Sequence, residues 1–484
     1  MSVSTINIRD YRFTQFSSDL ERLNQRHSEQ LRRESETIYE DQFAKTELLD
    51  ISPRLYETCI QGWARSYYSG DKHLAAIMQY ATPNIPINQL NQAIWTESIE
   101  AVRHGLRSLT RVRAYSVNTE LKSVHYIQSS SAGYGYIGAK GEPDGTNHNR
   151  AVSRAKATLY SAIRSDGEGI DYAIRESVPD VGYTRTQLAH IAENQLKVRG
   201  VWGRAFHYIL LEGTAAKPLL DSFQRSNTFV MIGSDPVTRV PEILSKISDD
   251  GKWIMSIDWS QFDATVSQFE IETAFDILKA FIDFPDFDTE MCYEFCKHMF
   301  IHKKVAAPDG FIYWAHKGIP SGSYYTSLIG SIINRLRIEY LWRLKFDEGP
   351  NVCYVLGDDS LIAYDRFYDP NELAAEAFKL NWLMNPEKTE YSTIPNAITF
   401  LGRTVRGGMN QRDLKKCLRL LILPEYPVED GRIAAYRAEA IAEDAGGTSE
   451  VLNTIAKRLK RIYGVALEHE VPIRLRRYQF AINM

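Results

Sequence analysis

Two acidic motifs, a hundred positions apart in a chain of 484 residues, carry the most chemistry. In WIMSIDWSQFD, the apolar run Trp253–Ile257 reads as a strand that leaves Asp258 at its C-terminal end and Asp263 beyond a turn. In YVLGDDSLIAY, two apolar half-strands flank Gly357, Asp358 and Asp359, the pattern of a hairpin with acids at its tip. Alone, that tip is also what an ordinary polar turn looks like, since Gly and Asp are preferred turn residues. If the two strands lie side by side, however, Asp258 and Asp358 converge. Two carboxylates about 4 Å apart repel by roughly 4 kcal/mol at an effective dielectric near 20, so the pair calls for a cation. Oxygen donors without His or Cys suit Mg²⁺ or Mn²⁺, and paired ions are the usual clamp for phosphoryl transfer. Successive strand residues face opposite sides, so only one of Asp358 and Asp359 need be central.

The elements that must position these acids follow from periodicity. Between the motifs, KGIPSGSYYTSLIGSIINRLRIEYLWRL opens with a loop around Gly318, Pro320 and Gly322 and turns helical from about Tyr324. The hydroxyls of Ser321 and Ser323 could contact a phosphate or ribose, or simply cap the helix. Residues 251 to 405 read as short apolar strands separated by helices, and 55 to 245 as mostly helical. Within the latter, a Gly-rich polar loop at 129 to 149 precedes a helix starting near Ala151; its GYGYIG lacks the preceding strand a dinucleotide site needs. In residues 1 to 50 the stretch SDLERLNQRHSEQLRRESETIYEDQF reads as helix-like, with too narrow an apolar stripe to fold alone, and should lie across another domain. Residues 411 to 484 read as helices with 13 Lys and Arg against 10 Asp and Glu, including KRLKR at 457–461 as a candidate face for a nucleic-acid backbone.

Composition narrows the function. Charged residues make up 24% and the net charge is -4, which excludes a protein that coats nucleic acid through bulk charge; a nucleic-acid site must be a local basic channel. Five scattered cysteines suit a reducing compartment, and the Cys292, Cys296, His298, His302 cluster reads as a buried helix face rather than a zinc site. The N-terminus lacks a signal-like apolar core and no apolar run approaches about 18 residues, so neither secretion nor a membrane span is expected.

Taken in order, these segments resemble the palm motifs of viral RNA-dependent RNA polymerases, closely those of partitivirus-like double-stranded RNA viruses. DWSQFD is similar to motif A, SGSYYT through Asn334 to motif B, and GDD at 357–359 to motif C. LNWLMNPEKTEYS is similar to motif D, ITFLGRTV to motif E, and QLKVRGVWGRAFHYILLEG to the basic motif F. The resemblance implies an α+β right hand of fingers, palm with an antiparallel sheet, and thumb, closed by an N-terminal extension. The implied divisions are 1–55 for the extension, 56–250 for the fingers, 251–405 for the palm with a fingers-side helical insertion about 270–316, and 406–484 for the thumb. It implies two Mg²⁺ or Mn²⁺ ions on Asp258 and Asp358 assisted by Asp359, and Lys388 as general acid for the leaving pyrophosphate. It implies Lys197, Arg199 and Arg204 around the triphosphate, with Asp263, Ser321, Gly322, Thr326 and Asn334 at the nucleotide. Many relatives carry Asn or Asp where this chain has Gly330, which leaves sugar selection to Asp263, Ser321 and Thr326. The implied partners are RNA template, duplex product, NTPs and a viral capsid protein, with no membrane, in the virion interior and host cytoplasm.

Two readings compete at this level. A reverse transcriptase would share the palm acids but block the 2′-hydroxyl with a bulky residue where Asp263 stands. A retired palm serving only RNA packaging would be expected to have lost its carboxylates, and all of them are present.

Overall fold

A computed structural model describes residues 4–6, 19–29, 39–65, 68–141, 145–164, 169–191 and 198–476. The strands relevant to the site are β1 (Ser4–Ile6), β2 (Leu20–Arg26), β3 (Asp180–Thr186), β4 (Val198–Gly203), β5 (Trp253–Ser256), β6 (Lys303–Ala306), β7 (Phe311–Ala315), β8 (Val352–Leu356), β9 (Asp359–Tyr364), β10 (Glu390–Ser392), β11 (Thr404–Arg406) and β12 (Met409–Gln411). The helices are α1 (Gln42–Ile51), α2 (Pro53–Cys59), α3 (Gly70–Met78), α4 (Thr146–Arg164), α5 (Phe206–Arg225), α6 (Pro236–Lys246), α7 (Phe262–Thr265), α8 (Gln268–Lys279), α9 (Phe287–Ile301), α10 (Thr326–Phe346), α11 (Leu414–Ile422), α12 (Gly431–Asp444) and α13 (Glu450–Tyr463).

The central sheet runs β8-β9-β5-β10, all antiparallel. Its hairpin is set by Gly357, whose φ of +58° suits the two-residue connection between the paired Leu356 and Asp359. β9 is buried on both faces from Ser360 to Tyr364, because α10 lies behind it: Leu328, Ile329, Ile332, Ile333 and Leu336 of that helix are all fully buried. On the other side, α6 packs its Val240 and Leu244 with Ile254, Leu361 and Ala363. The sheet is therefore held rigid on both faces, which is what a site at its end requires.

A second, six-stranded sheet runs β1-β2-β7-β6-β3-β4. Its hairpin β6–β7 comes from the chain between the two acidic motifs, and β3–β4 comes from a region that sequence alone reads as helical. That expectation is corrected: Val181 through Thr186 pair with Gly203 through Val198, and β6 pairs in parallel with β3 at Val305 and Asp180. β4 follows close behind β3 in the chain, but β6, the neighbour on the other side of β3, lies more than a hundred positions away, and that half of the pairing leaves no local signal. The helix placed near Ala151 begins earlier, at Thr146.

The N-terminal region does lie across other elements. The helix-like reading is corrected at Leu20–Arg26, which forms β2 and pairs antiparallel with β7, while α1 and α2 join α11, α12 and α13 in one apolar cluster that includes Ala44, Leu48, Leu418, Ala438 and Leu459. Arg437 donates from Nη1 to Asp41 at 2.6 Å within that cluster, and Asp41 is fully buried. Among the described residues no helix is long and apolar enough to cross a membrane. All five cysteines are buried thiols.

Candidate active site

Antiparallel register places the acids. Because Met255 faces Ile362 and Ser256 faces Glu390, extending each ladder two or three residues sets Asp258 opposite Asp359 on one side and Lys388 on the other. The backbone beyond β5 is tied down at this point: Asp258 N–H donates to Thr389 Oγ1 at 3.2 Å, and Asn385 N–H donates to the Asp258 carbonyl at 2.8 Å. Asp263 lies in the first turn of the short helix α7, and its carbonyl accepts from Ile319 N–H at 2.8 Å, which joins it to the 318–323 loop.

Asp258, Asp263, Asp358, Arg199 and Lys388 line one cavity of about 980 Å³. Three of the four expected acids and two of the expected cations therefore meet, across a hundred positions of chain. Burial, then the neighbouring Asp358 charge, pushes the Asp263 carboxyl up to about 6, while Arg199 and Lys303 pull the other way. Asp359 is likewise pushed up to about 6 by burial, then by Asp358 and Asp258. Asp358 is raised by burial above all, although its carboxylate reaches the solvent of the cavity. None of Asp258, Asp263, Asp358 and Asp359 has an ion-pair partner within 4.0 Å among the described residues. The cluster thus carries negative charge that no direct ion pair among the described residues neutralises, the condition a divalent cation relieves.

The expected three-ligand set is not preassembled: among the described residues no group of three His, Cys, Asp or Glu side chains is gathered as a cage. This suits Mg²⁺ chemistry, since that ion commonly takes one or two carboxylates and completes its shell with water and substrate phosphates. The donors present, oxygen only, fit a hard cation.

Two expected nucleotide contacts, Arg204 and Asn334, are buried away from the cavity, and the loop residues Ser321, Gly322 and Thr326 are engaged within the protein. Arg204 is buried, with Nε 3.1 Å from Glu212 and Nη1 3.6 Å from Asp180, and it donates to the Met299 carbonyl; its charge is consumed inside the protein. Asn334 is fully buried behind the hairpin, donating from Nδ2 to the carbonyls of Gly357 (2.9 Å) and Asp359 (3.1 Å) and accepting from Trp259 Nε1 at 2.8 Å. It positions the acidic turn. Ser331 Oγ accepts from Gly357 N–H at 2.8 Å and completes that support. Ser321 Oγ accepts from Trp202 N–H at 3.0 Å, so it fastens the loop to β4, and Thr326 Oγ1 donates to the Pro320 carbonyl at 2.6 Å. Gly322 is required by close approach, because a Cβ there would stand 2.1 Å from the Trp202 carbonyl oxygen. Lys197 lies outside the described residues.

Other functional residues gave no signal in the sequence. Helix α3 supplies Lys72 to the cavity wall, and the turn that follows it supplies Gln79 and Tyr80; the segment bears no motif, and α3 packs on β4. Beneath the cavity, Lys303 is fully buried and donates from Nζ to the carbonyls of Ile301, Lys317 and Gly318 at 3.2, 2.7 and 2.6 Å. Three carbonyl acceptors require three protons, so this is an ammonium despite the burial that lowers its pKa. Its charge faces Asp263 and pins the loop leading to Ser321. On the C-terminal side, Arg458 pairs with Asp50 and Glu47, and Lys460 with Glu439, so half of the KRLKR cations hold the helices together.

The class is now defined: an antiparallel palm sheet bearing a carboxylate pair, flanked by a second sheet and bridged by its own N-terminus, is the right-hand polymerase fold. Over 90% of this chain and 89% of the other, it superimposes on an insertion-loop deletion mutant of the RNA-dependent RNA polymerase of a human picobirnavirus, with a TM-score of 0.68 and 17% identity. The family model described as viral RNA-dependent RNA polymerase matches residues 39–460, and the chain belongs to that family. It is 33% identical over 161 residues to the RNA-directed RNA polymerase of Cryptosporidium parvum virus 1, covering 31% of this chain and 30% of the relative. It is 24% identical over 357 residues to that of Atkinsonella hypoxylon virus, covering 60% and 53% respectively. The aligned region thus spans about half or less of these relatives' lengths.

Proposed function

We propose that the chain catalyses template-directed RNA synthesis, joining the 3′-hydroxyl of a growing RNA to the α-phosphate of an incoming NTP with release of pyrophosphate. The observation that carries this reading is the single cavity in which Asp258, Asp263 and Asp358 face Arg199 and Lys388. Two Mg²⁺ or Mn²⁺ ions, when bound with the triphosphate, would neutralise charge on the attacking and leaving oxygens. Asp258 and Asp358 would hold them, with Asp359 opposite Asp258 in the extended register and its carboxylate under the influence of both charges. Arg199, exposed in the cavity, orients the triphosphate through its planar fork. Lys388, exposed on the rim, gives a proton to the departing pyrophosphate oxygen and regains it from solvent. Asp263 accepts from the ribose hydroxyls, held in place through its backbone by the loop that Lys303 pins.

On the same reading the four-stranded sheet is the palm, the six-stranded sheet and its helices the fingers, and residues from about 406 the thumb, with the 1–55 extension spanning both. Replication and transcription of a viral genome, inside the virion or host cytoplasm and beside a capsid protein, would be the setting; the viral relatives support it.

Purified protein is incubated with a primed RNA template, Mg²⁺ or Mn²⁺, and either NTPs or dNTPs. Template-length product from NTPs that is lost in Asp358→Ala is the expected result. Equal product from wild type and variant, or preference for dNTPs, would overturn the reading.

A further inference from the structure

Ile137 is 85% exposed, the highest value among the exposed large apolar side chains described. A lone exposed isoleucine ordinarily means nothing; this one stands on a rigid mount. Its carbonyl accepts from Asn147 Nδ2 at 2.8 Å, as does the carbonyl of Ala139, and Asn147 is buried at the start of α4. Ala132 N–H donates to the Gly138 carbonyl at 3.1 Å, Ser131 bridges Ala139, and the buried Tyr136 shares a hydrogen bond with His207 Nδ1 at 2.9 Å. The turn that lifts Ile137 is bracketed by Gly135 and Gly138, with φ of +71° and +75°.

The mount is also basic. The Arg154 and Arg150 guanidiniums lie 4.6 and 5.6 Å from the Tyr136 ring centroid. Neither has an ion-pair partner among the described residues, and the one acid contacting the turn is Glu29, which accepts from Gly135 N–H at 2.9 Å. The foot of the same loop, at Ser130, Ser131 and Lys140, lines a second cavity of about 290 Å³ with Gly322 and Ser323. β4 lies between the two: Arg199 through Trp202 face the acids' cavity, and Gly203 faces the second. One stiff loop therefore runs from the exposed isoleucine to the turn beside the active site.

We propose that this loop presents Ile137 as a wedge against a base step of RNA, at the fork where a duplex is opened ahead of the active site. The inference rests on the polymerase reading. An apolar side chain held rigidly beside cations that neutralise phosphates is the chemistry by which proteins unstack adjacent base pairs. Leu at this position preserves the wedge, and Ala removes it.

The test extends a primer on an RNA template with or without a complementary RNA strand annealed downstream. Ile137→Ala is expected to slow extension through the annealed strand by about tenfold, while extension on the open template stays within about twofold of wild type. Ile137→Leu is expected to retain both. Equal passage of Ile137→Ala and wild type through the duplex overturns the wedge, as does an equal loss on both templates. A wild-type protein that extends neither template overturns the polymerase reading instead. Replacing Arg150 and Arg154 together by Ala is expected to flatten the salt dependence of RNA binding; an unchanged slope removes the cations from the proposal.

Discussion

Asn334→Ala tests how the acidic turn is held. The side chain is fully buried and satisfies three groups: the carbonyls of Gly357 and Asp359, and the indole N–H of Trp259. Each buried polar group left without its partner costs about 1–3 kcal/mol. A simple sum of three such losses overstates the effect, because Gly357 is only half-buried and water can reach the hairpin. A loss of about 3–5 kcal/mol is expected, read as a shift of the urea midpoint followed by tryptophan fluorescence. The catalytic consequence is larger than the structural one. Freed from Asn334, the Gly357–Asp359 turn can shift against Asp258, and a displacement near 1 Å costs about a hundredfold in rate. Asn334→Asp keeps an acceptor for Trp259 but loses both donors and buries a charge against two carbonyls, so it is expected to be at least as damaging. A variant that loses less than about 1 kcal/mol and keeps its polymerisation rate within about threefold would refute the positioning role.

The paired glycines of the central loop and helix give opposite expectations. Gly322→Ala forces a Cβ to 2.1 Å from a backbone oxygen and is expected to depress both melting temperature and activity. Gly330→Ala meets only ordinary contacts of 3.7–3.8 Å inside a helix and is expected to stabilise by about 0.5–1 kcal/mol in the same urea titration. A pH series follows from Asp263 and Asp359, whose carboxyls rise from 3.8 to about 6 on folding. A raised folded value means that their contribution to stability is present at acid pH and is lost as pH rises through about 6. Mg²⁺ should offset that loss, so its stabilisation, measured by thermal shift, is expected to be larger at about pH 7.5 than at about pH 5; the reverse order would contradict the carboxylate assignment. Asp41→Ala strands the buried Arg437 and is expected to cost about 3–5 kcal/mol, with release of the N-terminal helices detected by limited proteolysis near residue 60.

What could be read from sequence follows the range of the forces involved. Asp258, Asp358 and the hairpin were legible because strand alternation and Gly-Asp turn chemistry are local. Arg204 and Asn334 were misplaced because a sequence shows the charge or amide but not the buried Glu212, Asp180 or Trp259 that consumes it. β3 and β4 pair with each other nearby in the chain, yet both were missed because their sheet is completed on the far side of β3 by β6, more than a hundred positions along. The α3 wall and the buried Lys303 ammonium left no trace, since their roles exist only through packing.

The most direct measurement of the central claim is anomalous diffraction from crystals grown with Mn²⁺, RNA and a non-hydrolysable NTP. Peaks about 2.2 Å from carboxylate oxygens of both Asp258 and Asp358, lost in Asp358→Ala, are the expected result. Manganese bound elsewhere while this cavity stays empty would contradict it.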